Sequence, residues 1–454
     1  MIRSDGMKGK GAAAPGAPSR RASFVALGVL MLTYLLSFVD RTALGVLQEP
    51  IKRELGLSDW QLGLLSGPAF ALLYSIAGLP IARLAERYSR SIILAVSLVI
   101  WSGMTMLCGL SRSYGQLVLA RVGVSVGEAG GNPVAHSLIA DLFPPSERGR
   151  AIAIYSFGAP AGAFLGAVAT GWLAFHFGWR TAFLMLGPPG FILTLAVIFL
   201  VPKPKRGQFD ERMQDDVDAP SLRAVISVFA GNAVLRHLAM GAALIVLTGY
   251  GIAAFLPSFL IRRHGLDLGT VGLLAGIVNG LGAAVGTVAS GFIVDRFGSR
   301  DARLYAWLPA VMAALSVPCF IWGFLTDKLA VAIPLLTLGT FAIYTYIAPT
   351  FAQLHNMLET RMRATGASIM YLIMNLVGLG IGPPLIGILS DRMTRMAMKN
   401  AGGLDCSASA TLPGCQQAVG IGLTYALVVI SLPLAWASVH FWLAGRKLGS
   451  HRVA

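Results

Sequence analysis

Apolar residues occur in long blocks along this chain, and the blocks set the fold. Twelve runs are nearly free of charge, at 23–47, 60–83, 92–110, 115–140, 151–175, 181–201, 237–260, 268–293, 304–325, 330–356, 365–390 and 419–443. A bilayer core of roughly 30 Å takes about 20 residues of α-helix at about 1.5 Å each. Each run therefore predicts one membrane-spanning helix, and the longer runs predict tilt. The separation of runs 9 and 10 rests on Thr326, Asp327 and Lys328.

Composition agrees. The 454 residues are 55% hydrophobic and 13% charged, against about 25% charge in soluble domains. The expectation is an all-α membrane protein of twelve transmembrane helices. Residues 1–22 read as a disordered cytoplasmic tail. They do not read as a cleaved signal, because the run behind them is too long and carries Asp40 and Arg41.

A net charge of +15 would suit nucleic acid, but its placement points elsewhere. With odd-numbered runs taken as running outward, 23 lysines and arginines fall on the inner side and 10 in outer loops. The remaining three are Arg41, Arg121 and Arg236. This is a positive-inside bias. It places both termini in the cytoplasm of a multi-pass protein of the plasma (inner) membrane. Membrane lipids are then its surroundings, no nucleic acid is a partner, and a monomer is expected.

The longest inner polar stretch falls mid-chain. It divides an N-terminal six-helix half, 23–201, from a cytoplasmic linker, 202–236, a C-terminal half, 237–443, and a tail, 444–454. The halves repeat. Ala82-Arg83-Leu84-Ala85-Glu86-Arg87-Tyr88-Ser89 after run 2 matches Gly291-Phe292-Ile293-Val294-Asp295-Arg296-Phe297-Gly298 after run 8, at an offset of 209. Glu147-Arg148-Gly149-Arg150-Ala151 after run 4 matches Thr360-Arg361-Met362-Arg363-Ala364 after run 10, at an offset of 213. Two matches at nearly one offset indicate duplication, and parallel six-helix repeats build one large transporter fold. In the first motif a small residue lets helices approach, and an acid near a helix end can hold a neighbour. Glu86, Arg87, Arg90, Arg148, Arg150, Gly291, Asp295, Arg296 and Gly298 are thus candidates for an inner gate that latches one conformation. The bland alternative is charge that only sets topology.

The loop at 291–298, and a degraded copy at 82–89, resemble the signature of the major facilitator superfamily. Phe38-Val39-Asp40-Arg41, Arg121-x-Gly123-x-x-x-Gly127-Glu128-Ala129 and Ala140-Asp141-Leu142-Phe143 resemble the Spinster family of lipid transporters within it. The Asp-Arg pair alone also occurs in organic-anion symporters of the superfamily. The resemblance implies the major facilitator fold and transport by alternating access. It maps that family's Asp-Arg and Glu onto Asp40, Arg41 and Glu128.

Charges inside a membrane are costly and usually functional. Four lie well inside the runs: Asp40, Arg41, Arg121 and Glu128, formally neutral in sum. Arg121 and Glu128 are seven apart and share a helix face, about 10 Å apart along the axis. Asp40 lies near the depth of Arg121. The expected pairs are Asp40 with Arg121, and Arg41 with Glu128 or the cavity. A carboxylate in a low-dielectric cavity gains proton affinity by desolvation and loses it beside a cation. An arginine that moves during transport would therefore couple proton binding to it. Asp40 and Glu128 are candidate proton carriers, with Arg41 and Arg121 as modulators. Arg41 is also a candidate for an anionic head group. The competing reading is a neutral quartet that only fastens two helices.

Asn279, Tyr344, Tyr346, His355 and Asn375 join Arg41 and Glu128 as weaker cavity candidates, each also explicable as an interhelix hydrogen-bonding residue. Runs 7, 8, 10 and 11 hold no acid at depth. A cavity polar on one wall and apolar on the other suits a lysolipid or sphingoid-like amphiphile. A small organic anion or sugar acid is the alternative. Cys108 and Cys319 read as packing residues. Cys406 and Cys415 share an outer loop, with a disulfide and two free thiols both open. No His-Glu-x-x-His, Cys-x-x-Cys or phosphate-binding Gly-x-x-x-x-Gly-Lys-Ser/Thr pattern occurs. An enzyme, a metal site, a cofactor and an ATP-driven pump are not expected.

Overall fold

The computed structural model describes residues 18–205, 209, 222–298, 300–359, 362–400 and 413–448. It is all-helical over these residues. The N-terminal half runs α1 (Arg20–Leu55), α2 (Asp59–Ser66), α3 (Pro68–Arg87), α4 (Arg90–Leu110), α5 (Tyr114–Glu128), α6 (Gly131–Leu142), α7 (Pro145–Ser156), α8 (Gly158–Leu186) and α9 (Pro188–Leu200). After α10 (Leu222–Gly231) the C-terminal half runs α11 (Ala233–His264), α12 (Leu268–Ala275), a π-helical turn (Gly276–Leu281), α13 (Gly282–Phe297), α14 (Leu304–Leu325), α15 (Leu329–Tyr344), α16 (Ile347–Met357), α17 (Arg363–Asn400), α18 (Pro413–Ser431) and α19 (Pro433–Lys447).

Ten stretches among the described residues are long and apolar enough to cross a membrane. Two local breaks explain why ten differs from the twelve runs of the sequence. Pro145–Leu200 forms one stretch of 56 residues, but it turns at Gly178, whose φ of 79° and ψ of 164° suit glycine. Runs 5 and 6 lie on its two sides. Run 4 is divided, because α5 stops at Glu128 and α6 starts at Gly131. Gly-Glu-Ala-Gly-Gly-Asn-Pro supplies the break, with flexible glycines and a proline, third in α6, that has no N–H to bond back across it. Broken helices at membrane depth survive only where protein or a cavity covers them.

Many large apolar side chains point outward, Phe199 and Phe292 at 79% and 74% exposure. Such faces fit hydrocarbon and not water. Helix bounds depart from the runs at their ends. α1 starts at Arg20, inside the expected tail, and closes on Gly56 in the left-handed region, whose N–H bonds the Lys52 carbonyl. Within the expected linker, α10 is amphipathic and buries Val225 and Phe229. Cys415 is disulfide-bonded, whereas Cys108 and Cys319 are free. Cys406 lies outside the described residues.

The repeat is visible in hydrogen bonds. Arg148 Nε donates to the carbonyls of Ala140 and Phe143 at 3.0 and 3.2 Å. Arg363 Nε donates to those of His355 and Leu358 at 3.0 and 3.4 Å. Both arginines reach back eight and five residues to the end of a helix, which satisfies orphan carbonyls there. Arg148 therefore corresponds to Arg363, an offset of 215. The 213 offset, which pairs Arg150 with Arg363, has the register wrong by two, because like residues recur every second position.

The halves meet along α1 with α11, α2 with α17, and α8 with α12. These crossings are tight. A Cβ on Gly171 of α8 would stand 2.4 Å from the Leu268 carbonyl oxygen, so two backbones touch. The crossings gather at the end of the bundle away from the termini.

Candidate functional site

Asp40 and Arg41 are consecutive on α1, hence about 100° apart around its axis, and they face different neighbours. Asp40 is 2% exposed and turns to α4. Its Oδ2 accepts hydrogen bonds from Trp101 Nε1 and, at 2.9 Å, from Thr105 Oγ1. Arg41 turns to α5. Its Nε donates to Glu128 Oε2 at 2.9 Å, and Ser37 Oγ donates to the same oxygen at 3.1 Å. The Arg41 guanidinium carbon lies 5.1, 4.8 and 5.0 Å from the ring centres of Phe38, Phe70 and Tyr74. Cation–π attraction thus holds the arginine at the cavity wall.

The glycines of the α5 motif make this approach possible. A Cβ on Gly127 would lie 2.7 Å from the Trp101 Cβ, and one on Gly123 would lie 2.6 Å from the Met104 side chain. Only glycine lets α4 close on α5 there and bring Trp101 to Asp40. The expected Asp40–Arg121 pair is not formed. Asp40 uses the indole and hydroxyl donors of α4 instead. Arg121 is 2% exposed, and its Nε and Nη1 have no hydrogen-bond partner, nor do Asp40 Oδ1 and Glu128 Oε1. Trp101 and Thr105 were missed because a tryptophan and a threonine in an apolar run read as packing. Their i, i+4 spacing on one helix face was the available signal. Trp101→Phe keeps an aromatic side chain and removes the indole donor to a buried carboxylate. The expected cost is about 1.5–3 kcal/mol, read as a lower midpoint of thermal unfolding in detergent. An unchanged midpoint contradicts the bond.

A cavity of about 130 Å³ lies between the halves, with Arg41, Arg121, Asn279 and Tyr344 on its wall. The π-helical turn presents Asn279, a known use of such turns at functional sites. Tyr250, Phe38 and Phe70 also line it. The other weak cavity candidates are placed elsewhere. Tyr346 is buried in the turn between α15 and α16. His355 is exposed near the end of α16. Asn375, half-buried on α17, is not among the lining residues. Glu128 lines a second, smaller cavity on the other side of its bond to Arg41. Among the described residues no group of three or more His, Cys, Asp or Glu is placed to hold a metal.

A family model of the Major Facilitator Superfamily matches residues 30–383. The chain belongs to that superfamily. A bacterial homolog of the human lysosomal transporter Spinster, solved in an inward-facing, unoccupied conformation, superposes with a TM-score of 0.86 at 32% identity, covering 97% of this chain and 100% of that one. An MFS-type efflux pump of Mycolicibacterium smegmatis is 33% identical over 82% of this chain and 86% of its own length. A probable L-galactonate transporter of Escherichia coli is 28% identical over 61% of this chain and 62% of its own. The resemblance to Spinster proteins thus extends through the fold.

This superfamily member carries a second charge cluster, which the sequence reading left in outer loops. Arg262, near the end of α11, donates through Nη1 and Nη2 to both carboxylate oxygens of Asp59, each at 2.7 Å, and through Nε to Glu49 at 2.7 Å. Lys52 Nζ also meets Asp59, at 2.5 Å. Ser390 donates to Asp59 at 2.6 Å, and Asp391 accepts the backbone N–H groups of Asp59 and Trp60. Asp391 so caps α2 from the opposite half. Arg262, Asp59 and Glu49 are almost wholly buried. These groups lie outside the apolar runs, at the ends of α1, α2 and α11, and are buried there at the interface between the halves.

The inner-gate candidates are arranged differently. Arg90 is buried against Asp141, Ser137 and the Pro204 carbonyl, which ties α4 to α6 and to the start of the linker. Arg87, Arg150, Asp295 and Arg296 are exposed, and Gly298 packs under the Tyr305 ring. The side chain of Glu86 lies outside the described ones. The charge clasp between halves sits at the far end, with Arg262.

Proposed function

We propose that this chain is a proton-coupled secondary transporter of an amphiphilic anion or zwitterion, of lysolipid or sphingoid type, working by alternating access. Its twelve crossings, counted by adding the two arms about Gly178 and the broken α5–α6 helix, leave both termini cytoplasmic in the plasma membrane. It works as a monomer without a cofactor. Asp40 and Glu128 carry protons, and Arg41 and Arg121 modulate them. The observation that carries the reading is the Arg41–Glu128 bridge at 2.9 Å, one member of which lines the cavity while the other is buried behind it. Substrate or conformation that draws Arg41 away leaves Glu128 unpaired at low dielectric, where the neutral acid is favoured. Aromatic and aliphatic side chains over most of the cavity suit an apolar tail. Closure at the end away from the termini supports an inward-open form, like that of the Spinster homolog.

The second reading is proton symport of a small organic anion or sugar acid. The unpartnered edge of Arg121 on the cavity wall, and the similarity to the probable L-galactonate transporter, favour it. A flux screen in proteoliposomes with an imposed pH gradient separates the two. The first reading expects gradient-driven movement of a fluorescent lysophospholipid that excess L-galactonate does not inhibit. Gradient-driven L-galactonate movement without lysophospholipid movement establishes the second. Fluxes that ignore the gradient overturn both.

A further inference from the structure

Behind the Arg41–Glu128 bridge, on the side of the termini, lies a small set of polar groups that Arg41 borders through Glu128 and Tyr74. Its cavity is about 10 Å³ and is lined by Ser37, Tyr34, Tyr74, Glu128, Asn132 and Tyr155, among others. That volume is close to what a single water requires. The site is built. Tyr155 donates to Asn132 Oδ1 at 2.5 Å, and Asn132 Nδ2 donates to Tyr74 Oη at 3.3 Å. Tyr155 stacks on Tyr34 with ring centres 4.7 Å apart. Glu128, on the cavity wall, is 3% exposed, and its Oε1 has no protein partner. On the far side, the ring of the exposed His136 stands against Tyr155 at 5.4 Å.

We propose that this cavity is the inner proton port of Glu128, with one water held by Asn132 and Tyr155. The inference rests on Glu128 being a proton carrier. It adds residues to which nothing else assigns a part. Asn132 follows Glu128 by four residues, and the interruption at Ala129-Gly130 keeps right-handed helical φ and ψ, so both side chains lie on one face. The carboxyl group gives its proton to the water. The water passes one of its own to the Tyr155 oxygen, and the Tyr155 hydroxyl proton, turned from Asn132, leaves toward solvent beside His136. Water and tyrosine end with the protons they began with, and Glu128 is left as the carboxylate paired with Arg41. The titratable and charged groups around the port are Tyr34, Asp40 and Arg41 from α1, Tyr74 from α3, Arg121 from α5, His136 from α6 and Tyr155 from α7. Asn132 positions the water, and Tyr155 relays the proton.

Infrared spectroscopy after a pH jump, on the full chain in detergent, tests the port without a substrate. The Glu128 carboxyl band is the one lost in Glu128→Gln. In Tyr155→Phe, which keeps both ring contacts, its decay is expected to slow by at least about tenfold, the low end of what positioned proton transfer contributes. The titration midpoint should stay near that of the unsubstituted protein. Asn132→Leu should show the same slowing. An unchanged rate in both variants overturns the port. Slowing that comes with a shifted midpoint also overturns it, by showing a structural effect. Absence of any titrating Glu128 band in the unsubstituted protein instead overturns the proton-carrier reading beneath it.

Discussion

Glu128→Gln is expected to abolish concentrative transport while leaving downhill exchange in place. One coupled proton and a pH difference of one unit sustain about a tenfold substrate ratio across the membrane, since each unit is worth about 1.4 kcal/mol. The amide keeps the size of the acid and can still accept from Arg41 and Ser37, so the helices stay fastened. It cannot release a proton. The ratio in proteoliposomes should therefore fall to about 1, with counterflow of labelled substrate continuing. A purely structural quartet would lose neither activity or both together. Asp40→Asn separates the two carboxylates. Asp40 turns from the cavity toward Trp101 and Thr105 of α4, whereas Glu128 touches the cavity through Arg41.

Arg262→Ala is expected to open the far end of the bundle. The substitution leaves Glu49 and Asp59 buried, with Lys52 and Ser390 still on Asp59. Removing one member of a buried ionic cluster costs about 3–5 kcal/mol, and the closed state alone bears that cost if the halves part on the other side of the cycle. Population of the outward-open state should then rise by about a hundredfold or more. Ser258 reports it. It is fully buried four residues before Arg262 and reaches Gln48 of the other half. In a background lacking Cys108 and Cys319, Ser258→Cys should react with an impermeant maleimide from the outer side about a hundred times faster when Arg262 is alanine. Equal rates would show that the cluster does not hold the gate.

Much of the architecture was legible because the bilayer imposes a length and a polarity on each element. The deep charges on α1 and α5 stood out for the same reason, as did the seven-residue spacing that turns Arg121 and Glu128 to one face. What escaped reading depended on crossing geometry. The sequence shows that Asp40 is costly at depth, but not that Gly127 lets α4 in and delivers Trp101 to it. Glu49, Asp59 and Arg262 lie at the ends of helices, where charge normally meets water. Only the packing of α1, α2 and α11 reveals that they are buried. The break after Glu128 was written in three glycines and a proline, yet apolar composition alone ran straight through it.

The coupling account stands most directly on proton-to-substrate stoichiometry. With a pH dye inside proteoliposomes and no imposed gradient, downhill movement of the substrate found in the flux screen should carry at least one proton per molecule in the unsubstituted protein and none in Glu128→Gln. Substrate movement by the unsubstituted protein without any change in internal pH would contradict the account.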